Sequence, residues 1–565
     1  LSARDMSEAR DSVRAEVERL ARAEPTLDPD EYADRVIGAW RVGSTIVSGQ
    51  DRLGLTAKLL PTISDEEVNA AFRDLTEPAH AAALLVLRPD ARQPNSATLL
   101  ATIEESLART PQPIAEPERP ESFLDNEPSP GDVAEMSIEP RTGTLSAWLS
   151  NGVRVHHRTL DDRTGEARIV ITLAGGRIEE TAATRGLSEA ACTAWNVPAS
   201  RSRSAADLDS LRVGKDIRIN AWADEDAIRI TCAGDSARMG EALRLVHLLL
   251  REPVIEPVHL ARWKWRQRSM ASYRTADPVS RLLELLDTRL YAPEDARHRP
   301  LGGDESDSID LPRAQSWLEH LVAAPIEVAI VGDIRRQTAL ELAATYLGSL
   351  PDRGRIGPQL FAPQRGAPRR TSGEGITNDH GLCAPRAGCL VAVRAPLVED
   401  SDDAMLAEIT ADILRSRVSR NIREDRPLAS WLMVKSLPSS AYREAGVIAA
   451  AAVTEPGSAC ETLGTIGTTV DEFVKAGPEP EEFRQALAML AQRCSDRVQR
   501  SDLWAEYAAE SEYRGKRLGD ASTAESRAAA LTADRMMRLV RSLDQPGQRI
   551  GIITGPPAPE SAAER

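Results

Sequence analysis

Several features are scarce in this 565-residue chain, and each scarcity removes a class of function. No apolar run is long enough to cross a bilayer, although 42% of residues are apolar and 28% charged, a globular composition. Positive charge is in deficit: 70 Lys and Arg stand against 86 Asp and Glu, a net −16. A nucleic-acid partner needs a basic face, so that class is set aside. Cysteine is sparse. Cys192, Cys232, Cys383, Cys389, Cys460 and Cys494 form no C-x-x-C pair and lack the density of a disulfide framework. Only Cys383 and Cys389 are close, in "LCAPRAGCL", and they read as isolated core or loop residues. No nucleophile elbow, phosphate loop or dinucleotide fingerprint occurs, and the glycines of "TLAGGRIEE" read as a strand turn. The first residue is Leu1 rather than methionine. A segment upstream is therefore expected, and the compartment stays open between bacterial periplasm and cytoplasm.

The length predicts three or more domains. Two stretches read as linkers. Residues 110–135 open with "TPQPIAEPERPESFLDNEPSPGD", rich in proline and acids and too poor in apolar residues to fold alone. Residues 351–380 are rich in Gly, Pro and Arg. They divide the chain into blocks 1–109, 136–350 and 381–565. The first block reads as mostly helical, closing with a strand "AALLVLRP" and a helix "SATLLATIEESLA". The second opens with strands "GVRVHHRTL" and "EARIVITLAGG", continues with "DIRINAWAD" and "AIRITCAGD", and closes on "PIEVAIVGDI". The third repeats that order: "GCLVAVRAP", the long helix "DAMLAEITADILRSRVSRNIRE", a hairpin of "ASWLMVKSL" with "AGVIAAAAV", further helices and "QRIGIITG". Strands grouped with helices, without strict alternation, predict an α+β fold of repeated sandwich domains, helices packed on mainly antiparallel sheets.

One pentapeptide raises the question of a metal. "SWLEH", Ser316 to His320, is an H-x-x-E-H zinc motif with its first histidine replaced by serine. The surrounding "LPRAQSWLEHLV" predicts a helix that places Leu318, Leu321 and Val322 on one face, with Glu319 and His320 at its polar edge. Adjacent side chains on a helix do not face each other, so this pair reads as surface rather than ligand. The remaining histidines offer no substitute. His156 and His157 are neighbours on a strand and point to opposite faces, His247 and His259 are single helix residues, and His80, His298 and His380 fall in loops.

Taken in order, "WLSNGVRVHHR", "GGRIEETAATRGLSEAACTAW" and "IEVAIVGDI" resemble the opening, motif region and closing strand of a pitrilysin/insulinase-type (inverzincin) zinc metallopeptidase domain. "LRSRVSRNIREDRPLAS" resembles the corresponding segment of the family's partner domain, and "LLPTISDEEVNAAFRDL" the end of a preceding one. Large members of the family close two halves, each of two related domains, around a peptide. The resemblance implies that this chain is the tail of one domain (1–109), a hinge (110–135), a peptidase-like domain without its zinc motif (136–350), a linker (351–380) and a C-terminal partner domain (381–565). It implies the non-catalytic C-terminal half, forming the substrate-enclosing wall and binding unfolded peptide. A separate inactive subunit paired with an active one, or a structural scaffold of the same fold, are the alternatives.

The family's zinc is held by two histidines four apart on a helix, with a glutamate between them that polarises the metal-bound water. The resemblance places Glu189 at the first histidine, Cys192 at the catalytic glutamate and Thr193 at the second histidine. A third ligand is a glutamate some 75 residues on, where "PVHLARWKWRQRSMASYRT" has no carboxylate. No catalytic residue and no zinc are expected on this chain, and zinc would belong to the upstream half. In the family's last domain an arginine and, seven residues on, a tyrosine contact the peptide; Arg423 matches the arginine and Ser430, beside Trp431, stands at the tyrosine position. The expected partners are peptide and a catalytic half, in the same polypeptide or separate, with no nucleic acid and no membrane span.

Overall fold

The structure, a computed structural model, describes residues 3–75, 84–85, 87, 94–109, 119–292, 295, 297–366, 375–395, 397, 400–442 and 445–556. Most of the strand expected at "AALLVLRP" and parts of both linkers fall outside these residues. The chain forms two compact units: Leu1–Ser122 with Asp209–Asp216, and Phe123–Leu208 with Ile217–Arg565.

The first unit contains the helices Ala3–Ala23, Pro29–Arg41, Gly49–Leu59, Asp65–Leu75 and Ser96–Ala108. Their starts follow from side chains that satisfy otherwise orphaned N–H groups. Asp28, Ser48 and Asn95 accept from Asp30, Asp51 and Thr98. Ser64 and Glu67 cap each other reciprocally at 2.7 and 3.2 Å.

The second unit is built on two sheets. In the first, β1 (Val133–Ile138), β2 (Leu145–Leu149), β3 (Arg154–Thr159), β4 (Glu166–Ala174), β5 (Arg218–Ala223), β6 (Ala227–Asp235) and β7 (Ile326–Gly332) lie in the order β1-β2-β3-β7-β4-β6-β5. Only β3 and β7 pair in parallel. In the second, β8 (Ile376–Asp379), β9 (Ala387–Arg394), β10 (Ala429–Leu437), β11 (Val447–Thr454) and β12 (Arg549–Thr554) lie in the order β10-β11-β9-β12-β8, and only β8 and β12 pair in parallel. The fold is α+β with mainly antiparallel sheets. The central strands β7 and β11 are buried along their whole length, as near-continuous apolar runs require.

Helix Asp402–Ser419 buries Leu406, Ile409, Ile413 and Leu414 in the main core of the second sheet, together with Phe473 and Ile466 of helix Ala459–Ala476. Two other helices cross between the sheets. Helix Pro278–Leu290 precedes the second sheet in sequence, yet Leu282, Leu286 and Leu290 pack on Leu390, Ala449 and Ile552. Helix Ser501–Ala508 follows most of the second sheet, yet Trp504, Ala505 and Ala508 pack on Val170, Ala329 and Val331 of the first. Each sheet is thus covered in part by a helix from the other's stretch of chain. The approach is close at Gly388, where a Cβ would stand 2.9 Å from Leu282 Cδ1.

A buried polar chain ties the second crossing. Glu327 on β7 lies 2.8 Å from His156 Nε2 and accepts from Ser511 Oγ and from the Glu512 and Tyr513 N–H groups at 2.7–3.1 Å. Ser146 Oγ lies 2.8 Å from the other ring nitrogen, His156 Nδ1. Ser, His and Glu in this order have the make-up of a nucleophilic triad. All three are buried, at 5%, 1% and 0% exposure, so no substrate reaches them and the network is structural.

Candidate functional site

The segment that the resemblance sets against the zinc motif begins at Gly186, whose φ of 81° is the left-handed conformation that glycine tolerates. A Cβ there would also press on Leu301 at 2.8 Å. Helix Leu187–Ala191 follows, and a second short helix, Thr193–Asn196, carries the chain on after Cys192. Glu180 caps this start, accepting from the Gly186 and Ser188 N–H groups at 2.9 Å each. Burial pushes the Glu180 carboxyl up, and those two hydrogen bonds oppose the shift.

The three motif positions face different surroundings. Glu189 is half-buried at the edge of a cleft of about 220 Å³ that is also lined by Arg177, Arg185, Gln267, Arg274 and His298. Cys192 is buried, and burial, with Glu189 adding to it, pushes the thiol well above its ordinary range. It is a small hydrophobe here rather than a thiolate. Thr193 is buried too, its hydroxyl without a hydrogen-bond partner among the described residues. The helix where the family's third ligand would stand, Pro257–Ala276, does run alongside: Gln267 Nε2 donates to Glu189 Oε2 at 3.3 Å. The side chain presented to the motif from that helix is therefore an amide.

These residues do not fit a zinc ion. One half-buried carboxylate, a buried thiol held in its neutral form, a hydroxyl and an amide do not make the set of three or more His, Cys or carboxylate ligands that zinc takes. Among the described residues no group of three or more His, Cys, Asp or Glu is arranged to hold a metal.

"SWLEH" lies on helix Leu311–Val322, with Leu318 and Leu321 fully buried and Glu319 and His320 exposed. Trp317 Nε1 donates to Ser188 Oγ at 3.1 Å, and His320 Nε2 lies 3.0 Å from Glu179 Oε1. The pentapeptide is a packing partner of the motif helix, and its glutamate points away to Arg201 at 2.8 Å.

Arg423 and Ser430 come from the second sheet. Helix Asp402–Ser419 does not continue regularly to Glu424, as its sequence suggests; it widens into a π-helical stretch, Arg420–Glu424, closed by Asp425 N–H to Arg420 O at 2.8 Å. Such widened turns often mark functional sites. Arg423 is exposed on this stretch and shares a cleft of about 430 Å³ with Arg415, Arg420, Glu424 and Leu432. Leu432 belongs to β10, which ends the sheet order. Ser430 is exposed at a bulge in β10, between Ala429 and Trp431, donating to Val453 O and accepting from Arg386 Nη1, each at 3.3 Å. It is not among the residues lining the Arg423 cleft. The widened turn and the flanking arginines had no signal in the helical periodicity, because a π-turn inserts one residue without breaking the apolar face before it.

Residues 316–490 match the family model described as the peptidase M16 inactive domain. That match, over 175 of the 565 residues, falls in the family that the sequence resembles, the M16 or pitrilysin/insulinase-type metallopeptidases. No curated protein matches the chain. Among solved structures it is similar to the periplasmic protease PqqL from Escherichia coli, with a TM-score of 0.67 and 15% identity over 98% of this chain and 61% of that one. The ferredoxin protease FusC, in complex with Arabidopsis ferredoxin, gives a TM-score of 0.64 and 16% identity over 99% of this chain and 61% of that one. A peptidase M16 inactive domain from Pseudomonas fluorescens gives a TM-score of 0.62 and 16% identity over 74% of this chain and 98% of that one. The chain thus spans 61% of the length of PqqL and of FusC.

Proposed function

We propose that this chain is the non-catalytic C-terminal half of a pitrilysin-type zinc peptidase, forming one wall of a chamber and binding unfolded peptide against it. In this reading 1–109 is the tail of a preceding domain, 110–135 the hinge, and 136–350 and 381–565 the two peptidase-like domains, joined by 351–380. Zinc and the catalytic residues belong to a half upstream in the same polypeptide. The observation that carries the peptide role is the cleft in which Arg415, Arg420 and Arg423 meet the edge strand β10. An unpaired strand edge offers N–H and C=O groups to an extended peptide, and adjacent guanidinium groups take its carbonyls or carboxylates. The share of PqqL and FusC that this chain spans supports a missing partner half. A separate catalytic subunit is the second reading, favoured by the Pseudomonas fluorescens chain, which 74% of this one covers almost completely.

The test is fluorescence anisotropy with a labelled, unfolded peptide on the purified chain. Wild type should bind, and Arg423→Ala should weaken binding roughly ten- to hundredfold with an unchanged melting temperature. Absence of binding by wild type would leave a structural scaffold. An H-x-x-E-H encoded in frame upstream of Leu1 would place the catalytic half in cis; a separately encoded active homologue that co-purifies would place it in trans.

A further inference from the structure

The cleft at Arg423 differs from the rest of its helix in what it leaves unpaired. Within the widened turn Asn421 Nδ2 donates to Thr469 Oγ1 at 2.8 Å, and Ile422 is fully buried. These two inward anchors turn Arg420, Arg423 and Glu424 outward, and all three are exposed. Earlier on the helix the arginines are occupied. Arg417 Nη2 donates to Glu482 at 2.5 Å and to Gly477 O at 2.9 Å, and Arg415, 50% exposed, lies 3.4 Å from Asp412. Arg420 and Arg423 line the cleft and make no side-chain hydrogen bond or ion pair among the described residues. Glu424, the acid among the described residues lining the cleft, stands one turn on from Arg420 and pairs with neither arginine.

Strand β10 adds an independent constraint, because successive side chains of a strand point to opposite faces. Leu432 and Val434 pack on the helix side, into the core that holds Leu406 and Phe473, and Leu432 lines the cleft. Met433 and Leu437 pack on the other side, with Leu286 and Ile552. By the same alternation Trp431, 37% exposed, and the exposed Lys435 belong to that second face. A peptide laid along the edge of β10 alternates in the same way. Every second side chain comes to the arginine cleft, and those between come beside Trp431 and Lys435.

Resting on the peptide reading above, we propose that the ligand is an extended peptide with acidic side chains at alternate positions and apolar or aromatic ones between them. A Glu or Asp carboxylate matches the fork of a guanidinium, and Arg420 and Arg423 are both accessible and without a competing partner. A basic side chain at the same position meets like charge, and an amide forfeits the charge-assisted bond. On the opposite face the Trp431 ring offers apolar contact to the intervening residues. In a chain of net charge −16, a cleft of unpaired arginines is where an acidic peptide can approach.

The experiment is fluorescence anisotropy on the purified full chain with three labelled peptides of one length and identical apolar positions, carrying Glu, Gln or Lys at every second residue. Exposed ion pairs are individually weak, so the Glu peptide is expected to bind about three- to tenfold more tightly than the Gln peptide at low salt, with the Lys peptide weakest, and the gap should narrow as salt is raised. Arg420→Gln should reduce that gap and Arg420→Gln combined with Arg423→Gln should close it, at an unchanged melting temperature. Trp431→Ala should weaken all three peptides alike, because it acts from the other face. A fourth peptide of the same composition with its acids consecutive should lose most of the advantage. Equal binding of the Glu and Gln peptides by wild type, a gap that survives both arginine substitutions, or an undiminished advantage for consecutive acids overturns the proposal. Should the Glu and Gln peptides bind alike and both weaken in Arg423→Ala, the peptide reading stands and the acidic preference falls; should no peptide bind, both fall.

Discussion

The helix that follows β4 and the helix that follows β9 occupy matching places in a repeated order of elements, and they have diverged in opposite directions. At the first, Glu189 is half-buried beside an amide, Cys192 and Thr193 are enclosed, and "SWLEH" is packed against the outside. At the second, the helix widens at Arg420–Glu424 and presents three arginines to solvent beside a strand edge. At the first site Cys192 and Thr193 are taken up by packing, and the charged groups, Glu189 with Arg177, Arg185 and Arg274, stand at the cleft beside them. The second site keeps its arginines outward, where a guanidinium is cheap to hold and able to meet a ligand.

The largest effects should come from breaking the structural symmetry that frames this contrast. Trp504→Ala removes the fully buried anchor by which the late helix sits on the first sheet and should cost about 3–5 kcal/mol; Leu286→Ala, its counterpart on the second, should cost about 2–5 kcal/mol. Denaturant midpoints check both, and a loss below about 1 kcal/mol in either would mean that this helix does not hold its sheet. Next comes Arg423→Ala, with peptide affinity down by roughly 1.5–3 kcal/mol but stability changed by no more than about 0.5 kcal/mol. A lowered melting temperature with unchanged peptide binding would make the two regions alike after all.

The enclosed site should also report itself through pH. Asp287 lines the Glu189 cleft, and burial, with the Glu225 charge adding to it, raises its carboxyl to about 7. The native state then holds a proton between the ordinary carboxylate value and about 7 that the unfolded chain has released. Its contribution to stability is complete below about pH 4 and is lost as pH rises through about 7. Asp287→Asn should flatten that slope in a series of melts from pH 4 to 8. The smallest expected effect is none: Ser316→His completes "HWLEH" but should create neither stoichiometric zinc by elemental analysis nor zinc-dependent cleavage. Its helix offers no third ligand, and His320 already meets Glu179.

The order from β3 to β7 and from β9 to β12 was legible because these strands are short, largely apolar runs bounded by turn residues. The exposed β1 and β8, which lie partly or wholly in the stretches read as linkers, and the short β2 gave no such signal. Helix Asp402–Ser419 buries the Leu406, Ile409, Ile413 and Leu414 that its periodicity picks out, and Met405, Ala407 and Ala411 besides. The same reading separated the buried Leu318 and Leu321 from the exposed Glu319 and His320. The resemblance pointed to Glu189, Cys192, Thr193 and Arg423, and "no carboxylate" in the following helix was plain, but not that Gln267 is the side chain presented there. Facing is a matter of how two helices cross, and that is set by distant packing. For the same reason the sequence was silent on the exchange of helices Pro278–Leu290 and Ser501–Ala508, whose apolar faces would fit either sheet. It was silent too on Glu327, a lone acid in an apolar strand whose partners arrive from residues 511–513. Local pattern determines which face of an element is buried; only the closed tertiary structure decides what it is buried against, because that choice depends on shape and charge brought together from hundreds of residues apart.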